Sequence, residues 1–434
     1  MDVHIATSPL MSGSTKLKVL VIPSWYPCEE SPYQALFLRE QAICLARRFD
    51  VSVLTPRFPS LRDFCRLRWG PEFSQEEDHG VNTLRVRYLK SPTFRRWIPI
   101  LAHPDHALIY YRKFAAAIRN GFDLHVAEHG LPDVIHAHVV QPAGWIAVEL
   151  GQIHDIPVVL TEHSGPFDMH LQTDKQRSLV REILRRADRL VAVSPALRDA
   201  MTEFEPDARI DVIGNLIDTE FFTPAVEDRA SGRPFRFFYL GVFVEIKGVR
   251  HLLHAIHELQ ARGLRDFEVH LGGDGPLGPT LKRLAADLGI ADRCRFLGML
   301  SREEVRDQMR ACDVFVLPSL GETFGIVNGE AMACGKPVLS TRCGGPEFVV
   351  TPETGILVSP GNPHELADAM ASFLKRDRAF DSELIRASAV ARFGAEAFLD
   401  KTEAVYSALD EGHSMRSFES SVPKQSLGTR CKMR

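Results

Sequence analysis

The chain has 434 residues, 45% of them hydrophobic and 25% charged, with 30 Gly and 27 Pro. That is ordinary globular usage, long enough for two or three domains, and it excludes a largely disordered, collagenous or coiled-coil polypeptide. A formal net charge of −4 argues against a protein built to neutralise nucleic acid, and no apolar run approaches the ~18–20 residues of a membrane-spanning helix.

Residues 1–16 lack an apolar stretch of signal-peptide type and read as a disordered tail, which leads to the expectation of a cytoplasmic protein. From there the pattern is strand, turn, helix, repeated. The first half carries short Val/Ile/Leu-rich runs at 17–22, 50–55, 133–140, 156–161, 189–194 and 209–213. The second half repeats them at 235–241, 267–273, 293–298, 312–318 and 336–341. Continuous apolar strands signal a parallel sheet covered on both faces. Helical segments at 248–263, 280–289 and 301–311 alternate with them, and Ser301 with Glu304 has the spacing of a helix-starting capping box. The expected fold class is therefore α/β, with two Rossmann-like doubly wound parallel-sheet domains.

The expected divisions are 17–222 for the first domain, a Pro- and Gly-containing linker at 223–234, and 235–392 for the second. A last helix at 393–410 is expected to pack back on the first domain, with a disordered tail at 412–434. Residues 57–108 fit the scheme poorly. Nine Lys/Arg against five Asp/Glu between Arg57 and Arg96, interleaved with Phe58, Phe64, Trp69 and Phe94, read first as an insertion packing its own aromatics. The sharper alternative is a peripheral membrane contact. The eight cysteines form no C-x-x-C pair and read as reduced, mostly buried residues.

Two motif matches are rejected. Gly273 to Gly278 spells G-x-G-x-x-G, but the next strand ends in Gly298 and Met299 rather than in a ribose-binding acid. Gly329 to Lys336 resembles a phosphate-binding loop, yet Pro337 occupies the Ser/Thr position. The stronger signal is 318–345, PSLGETFGIVNGEAMACGKPVLSTRCGG. There a strand ends, a Gly-containing turn carries Glu322, and a helix starts near Gly325 with Glu330 inside it. The free N–H groups of Phe324, Gly325, Ile326 and Val327 suit an anion, and the two carboxylates suit sugar hydroxyls.

The stretch from Glu322 to Gly335 resembles the signature of the retaining glycosyltransferase family 4, which has the GT-B fold. PSWYP (23–27), VIHAHVVQPAG (134–144), TEH (161–163), IGNLIDTEFF (213–222) and EIKG (245–248) agree with that family in order and spacing. The resemblance implies that a nucleotide-diphosphate sugar is the donor, with no resident cofactor. Glu330 would hold the ribose and Glu322 the transferred sugar. Lys247 and the amides of Phe324 to Val327 would meet the diphosphate, with Met299 also in the donor-binding set. His138 matches the family histidine that contacts the donor sugar, and His163 ends the next strand. The acceptor would be a saccharide or lipid-linked glycan in surface polysaccharide or glycolipid assembly.

Three departures stand out. Val242 occupies the place of the family's usual Arg, with Arg342 a candidate substitute. Ser31 to Ala35 replaces a Gly pair, and Gly214 and Leu216 flank Asn215 where Pro and Gly are commoner. The chain contains no Asp-x-Asp, so a metal-free mechanism is expected. Alternatives are a nucleotide-sugar epimerase of GT-B fold, a nucleotide-sugar-binding protein without turnover, and a two-Rossmann oxidoreductase.

Overall fold

The computed structural model describes residues 16–28, 35–57, 73–87, 106–225 and 232–420. The first domain is built from β1 (Lys18–Pro23), α1 (Leu36–Ala46), β2 (Asp50–Arg57), β3 (Phe73–Asp78), β4 (Val81–Arg87) and α2 (His106–His129). It continues with β5 (Val134–His138), α3 (Trp145–His154), β6 (Val158–Glu162), α4 (Asp174–Arg186), β7 (Arg189–Ala192), α5 (Pro195–Phe204) and β8 (Ile210–Val212).

Its sheet runs β3-β4-β2-β1-β5-β6-β7-β8, and only the β3–β4 pair is antiparallel. All five residues of β5 and of β6 are buried, as continuous apolar runs between helix layers require. The β3–β4 hairpin is absent from the sequence expectation. β3 reads FSQEED and lies half-exposed at the sheet edge, so it carries no apolar signal. Residues 58–72 and 88–105, where the basic aromatic segment and its membrane contact were expected, lie outside the described residues. The same holds for residues 1–15 and 421–434 of the expected tails.

The second domain comprises β9 (Phe235–Leu240), α6 (Val249–Ala261), β10 (Phe267–Gly272), α7 (Gly278–Asp287), β11 (Cys294–Gly298), α8 (Arg302–Ala311) and β12 (Val314–Leu317). Then come α9 (Ile326–Ala333), β13 (Val338–Thr341), α10 (Pro346–Val349), β14 (Gly355–Val358), α11 (Pro363–Lys375) and α12 (Ser382–Phe393). The sheet order β11-β10-β9-β12-β13-β14 is the 3-2-1-4-5-6 order of dinucleotide-binding folds. In such sheets ligands bind beyond the carboxyl ends of the strands where the order reverses, here between β9 and β12. Ser301 and Glu304 do form a capping box at the start of α8.

The last helix, α13 (Ala395–Ser420), leaves the second domain and lies against the first. Its Phe398, Leu399, Val405, Tyr406 and Leu409 share one core with Val19 and Val21 of β1 and with Leu38 and Leu45 of α1. Helical backbone continues past residue 410, into the stretch composition assigned to a tail. The two crossings between domains are tied together: Ile217 N donates to Phe393 O at 2.8 Å, and Arg386 donates to the carbonyls of Thr219, Phe222 and Ala333. Cys44, Cys294, Cys312, Cys334 and Cys343 are free, and burial pushes the Cys312 thiol up to about 12. Among the described residues, no helix is long and apolar enough to cross a membrane.

Candidate active site

In the second domain, the loop after β9 and the loop after β12 meet at the switch point. Leu320 N donates to Ile246 O at 2.7 Å. Gly248 has φ +66°, and a Cβ there would stand 1.9 Å from Pro318 O, so only glycine permits this approach. The contact sets the short turn Glu245–Lys247 beside the turn carrying Glu322. Lys247 Nζ lies 2.6 Å from Glu322 Oε1, which also accepts from Ser319 Oγ at 2.7 Å. The Glu322 turn is stitched to the loop after β13 by Gly345 N donating to Glu322 O at 2.8 Å.

Gly325, in the left-handed region at φ +82°, then starts α9. The Ile326 and Val327 amides at the start of α9 have no intrahelical acceptor, while Asn328 N donates to Gly325 O at 2.9 Å. Phe324 contributes backbone only: its ring is buried edge-on against Phe348 and Phe393. Ile326, Val327 and Glu330 line a cleft of about 240 Å³ with Leu240, Leu300 and Arg302. Burial, reinforced by the nearby Glu40 carboxylate, raises the Glu330 carboxyl to about 8.

The cleft's other wall is the first domain, through Phe37 and Glu40 of α1. Arg302 spans the two domains: its Nη2 lies 2.5 Å from Glu40 Oε1 and 2.8 Å from Asp218 Oδ2, with its guanidinium 4.1 Å from the Phe221 ring centroid. Burial raises Glu40 to about 6 against the pull of Arg302. A second bridge joins the site halves, Thr323 Oγ1 donating to His163 O at 2.8 Å. His138 and His163 end adjacent strands, and their Nδ1 and Nε2 atoms lie 2.9 Å apart. Behind them, Glu162 is fully buried and accepts the amides of Val140, His163 and Ser164, holding both strand ends in place.

Each sequence-expected residue can now be placed. Ile326, Val327 and Glu330 line the cleft, Gly325 starts the helix that carries them, and Lys247 pairs with Glu322 in the preceding turn, to which Thr323 ties His163. His138 packs against His163 and is 2% exposed. Met299 stands at the rim after β11, 62% exposed. Arg342, the candidate substitute for the family's Arg, lies 3.6 Å from Glu365 with its side chain 55% exposed. Val242 is itself 55% exposed in the loop after β9, with room for a longer side chain. Val242→Arg is therefore expected to tighten nucleoside diphosphate binding by about tenfold, while Arg342→Ala leaves it within about twofold. Calorimetric titration of both variants checks this.

Sequence reasoning missed the Glu40–Arg302–Asp218 cluster, whose members are far apart in the chain and carry no local motif. Ala35, the last residue of the stretch lacking the Gly pair, holds φ +54° at the start of α1, a conformation glycine would take without strain. The Gly273–Gly278 segment is a turn into α7, and Gly329 lies inside α9, so neither rejected motif forms a phosphate loop.

Two facing Rossmann-like domains with a charged site at the seam are the GT-B architecture. The sequence matches two family profiles, Glycosyltransferase Family 4 over residues 34–221 and Glycosyl transferases group 1 over residues 234–376. It is 32% identical over 302 residues to a D-inositol 3-phosphate glycosyltransferase of Corynebacterium diphtheriae, covering 63% of this chain and 70% of that one. With the Corynebacterium efficiens enzyme of that name it is 32% identical over 272 residues, but the match spans only 63% of the relative's length and 56% of this chain. The chain belongs to the group 1, family 4 glycosyltransferases. Among solved structures it is similar to sucrose-phosphate synthase from Thermosynechococcus elongatus (TM-score 0.69, 22% identity, 91% of this chain and 100% of that one). It also resembles Anabaena HepE in complex with UDP (TM-score 0.66, 21% identity, 90% and 100%).

Proposed function

We propose that this protein is a retaining hexosyltransferase. It moves a hexose from a nucleotide-diphosphate sugar to a hydroxyl of a saccharide or lipid-linked glycan, in surface polysaccharide or glycolipid assembly at the cytoplasmic side of a membrane. The observation that carries the reading is the Lys247–Glu322–Ser319 cluster, set where the second sheet reverses its strand order and beside the N-terminus of α9. The UDP-glucose held by Anabaena HepE supports a donor of this class.

The chemistry follows from the charges. The bond between sugar C1 and the diphosphate oxygen breaks, and negative charge builds on the leaving diphosphate. Lys247 and the α9 amides stabilise that charge without reorganising. Glu322, freed from Lys247 by the diphosphate, accepts hydroxyls of the transferred sugar. The acceptor oxygen bonds to C1 on the face the diphosphate leaves, and its proton passes to the departing diphosphate oxygen. No protein nucleophile and no resident cofactor is required.

A thermal-shift screen of UDP, GDP and ADP sugars tests the donor class. A bound donor at a hundred times its Kd adds about 2.7 kcal/mol of stability. Transfer is expected to persist in excess EDTA. Complete loss, restored by Mn²⁺ or Mg²⁺, would replace the Lys247 mechanism with a metal one.

A further inference from the structure

The two nitrogens of a neutral imidazole are coupled: one carries the proton and the other a lone pair. Burial holds His136 and His163 at about 3 and His138 well below its ordinary value, so all three rings are neutral near pH 7. His136 and His138 occupy the face of β5 that packs on α13, their rings stacked 4.4 Å apart. Both nitrogens of His136 are engaged, Nδ1 with Tyr406 Oη at 2.6 Å and Nε2 with Thr161 Oγ1 at 2.8 Å. It therefore does not compete for His138.

His138 Nδ1 faces His163 Nε2, and a single proton lies between them. If that proton belongs to His163, both Nδ1 atoms are lone pairs and His138 carries its hydrogen on Nε2. If it belongs to His138, His138 Nε2 is a lone pair and His163 must carry a hydrogen on Nδ1. The protonation of His138 Nε2 is thus decided at His163 Nδ1.

That atom is sealed from solvent and makes no hydrogen bond of good geometry, the Asn215 side chain being its polar neighbour. It belongs to a residue lining a small cavity with Gln41, Asn215 and Thr161, with room for about one water. Asn215 is buried, and its Oδ1 accepts from Gln41 Nε2 at 3.0 Å. One lone pair of that oxygen is engaged by Gln41, while the Asn215 amide hydrogens take no part in that bond, so Asn215 offers the cavity an N–H. Donated directly or through one water, that hydrogen meets a lone pair on His163 Nδ1.

We infer that Gln41 and Asn215 are positioning residues: through His163 they fix His138 as the Nε2–H tautomer, so that His138 acts on the substrate as a hydrogen-bond donor and not as a base. An N–H at this position takes an oxygen acceptor, such as a hydroxyl of the donor sugar, and does not deprotonate the acceptor. The inference rests on the transferase reading for its consequence in catalysis, but the tautomer is a property of the protein alone.

Long-range ¹H–¹⁵N correlation spectra of the full chain labelled with ¹⁵N-histidine read it directly. Both His138 and His163 are expected as Nε2–H in the parent. A parent spectrum with His138 as Nδ1–H overturns the inference, whether or not any variant folds. Asn215→Leu removes the donor and should populate the other tautomer at His138. Turnover should fall by about tenfold or more while nucleotide-sugar affinity changes by less than about threefold. Unchanged tautomers in that variant, or changed tautomers with full turnover, would equally overturn it. If the parent turns over no nucleotide sugar at all, the transferase reading fails while the spectrum still decides the tautomer.

Discussion

Replacing Lys247 by Met should lower sugar transfer by about 10²–10³-fold, the cost of losing one preorganised group that stabilises charge developing in the transition state. The size follows from the site's composition. With Val242 in the loop after β9 and Arg342 turned to Glu365, Lys247 is the one site cation among the described residues that faces the Glu322 turn. Its partner is Glu322, at 2.6 Å. The arriving diphosphate must take Lys247 from that carboxylate, which then becomes free for sugar hydroxyls. Lys247→Arg keeps the charge but not its compact shape, and should recover only part of the rate. Steady-state kinetics with the identified donor separates these outcomes. A Lys247→Met enzyme within tenfold of the parent would leave the α9 amides as the only support for the leaving group.

The second large effect concerns Glu330. Glu330→Ala should weaken nucleotide binding by about 1–3 kcal/mol, roughly ten- to a hundredfold, by removing the acceptor for ribose hydroxyls. Glu322→Gln should instead lower turnover and spare affinity for the free nucleoside diphosphate. The raised carboxyl of Glu330 adds a pH signature. Folded protein retains a proton here that the unfolded chain releases above about 4.5, so this group's contribution makes stability fall as pH rises from about 4.5 to about 8. Glu330→Gln should remove that slope and be the more stable protein at pH 8.5, by an amount on the order of a few kcal/mol. Binding runs the other way. The ionised carboxylate accepts two hydroxyls, so affinity for a nucleotide sugar should rise between pH 6 and 8, a dependence that Glu330→Gln loses. A nucleotide sugar is the right probe because its diphosphate has no ionisation in that range. Equal pH profiles for parent and variant would move the ribose away from Glu330.

Much of this was legible in the sequence where the signal is local. Strands such as 17–22 and 133–140 are buried on both faces and announce themselves as apolar runs. Glu322, the turn glycines and Glu330 lie within one contiguous stretch, so spacing alone groups them. The edge strand β3 was not legible, since FSQEED meets water and needs no apolar pattern. Nor were the contacts made only by folding: Arg302 with Glu40 and Asp218, and Tyr406 with His136, 270 residues apart. Nor does the place of Arg342 in the sequence, twelve residues after Glu330, reveal that its side chain lies beside Glu365.

The measurement closest to the central claim is ¹H NMR of the product formed from an α-linked nucleotide hexose and a hydroxyl acceptor, with EDTA present. The anomeric coupling constant of the first product reports configuration before any mutarotation. Front-face displacement at Lys247, Glu322 and the start of α9 predicts an α-linked product and release of nucleoside diphosphate in equal amount. A β-linked product, or an altered nucleotide sugar with no transfer, would contradict it.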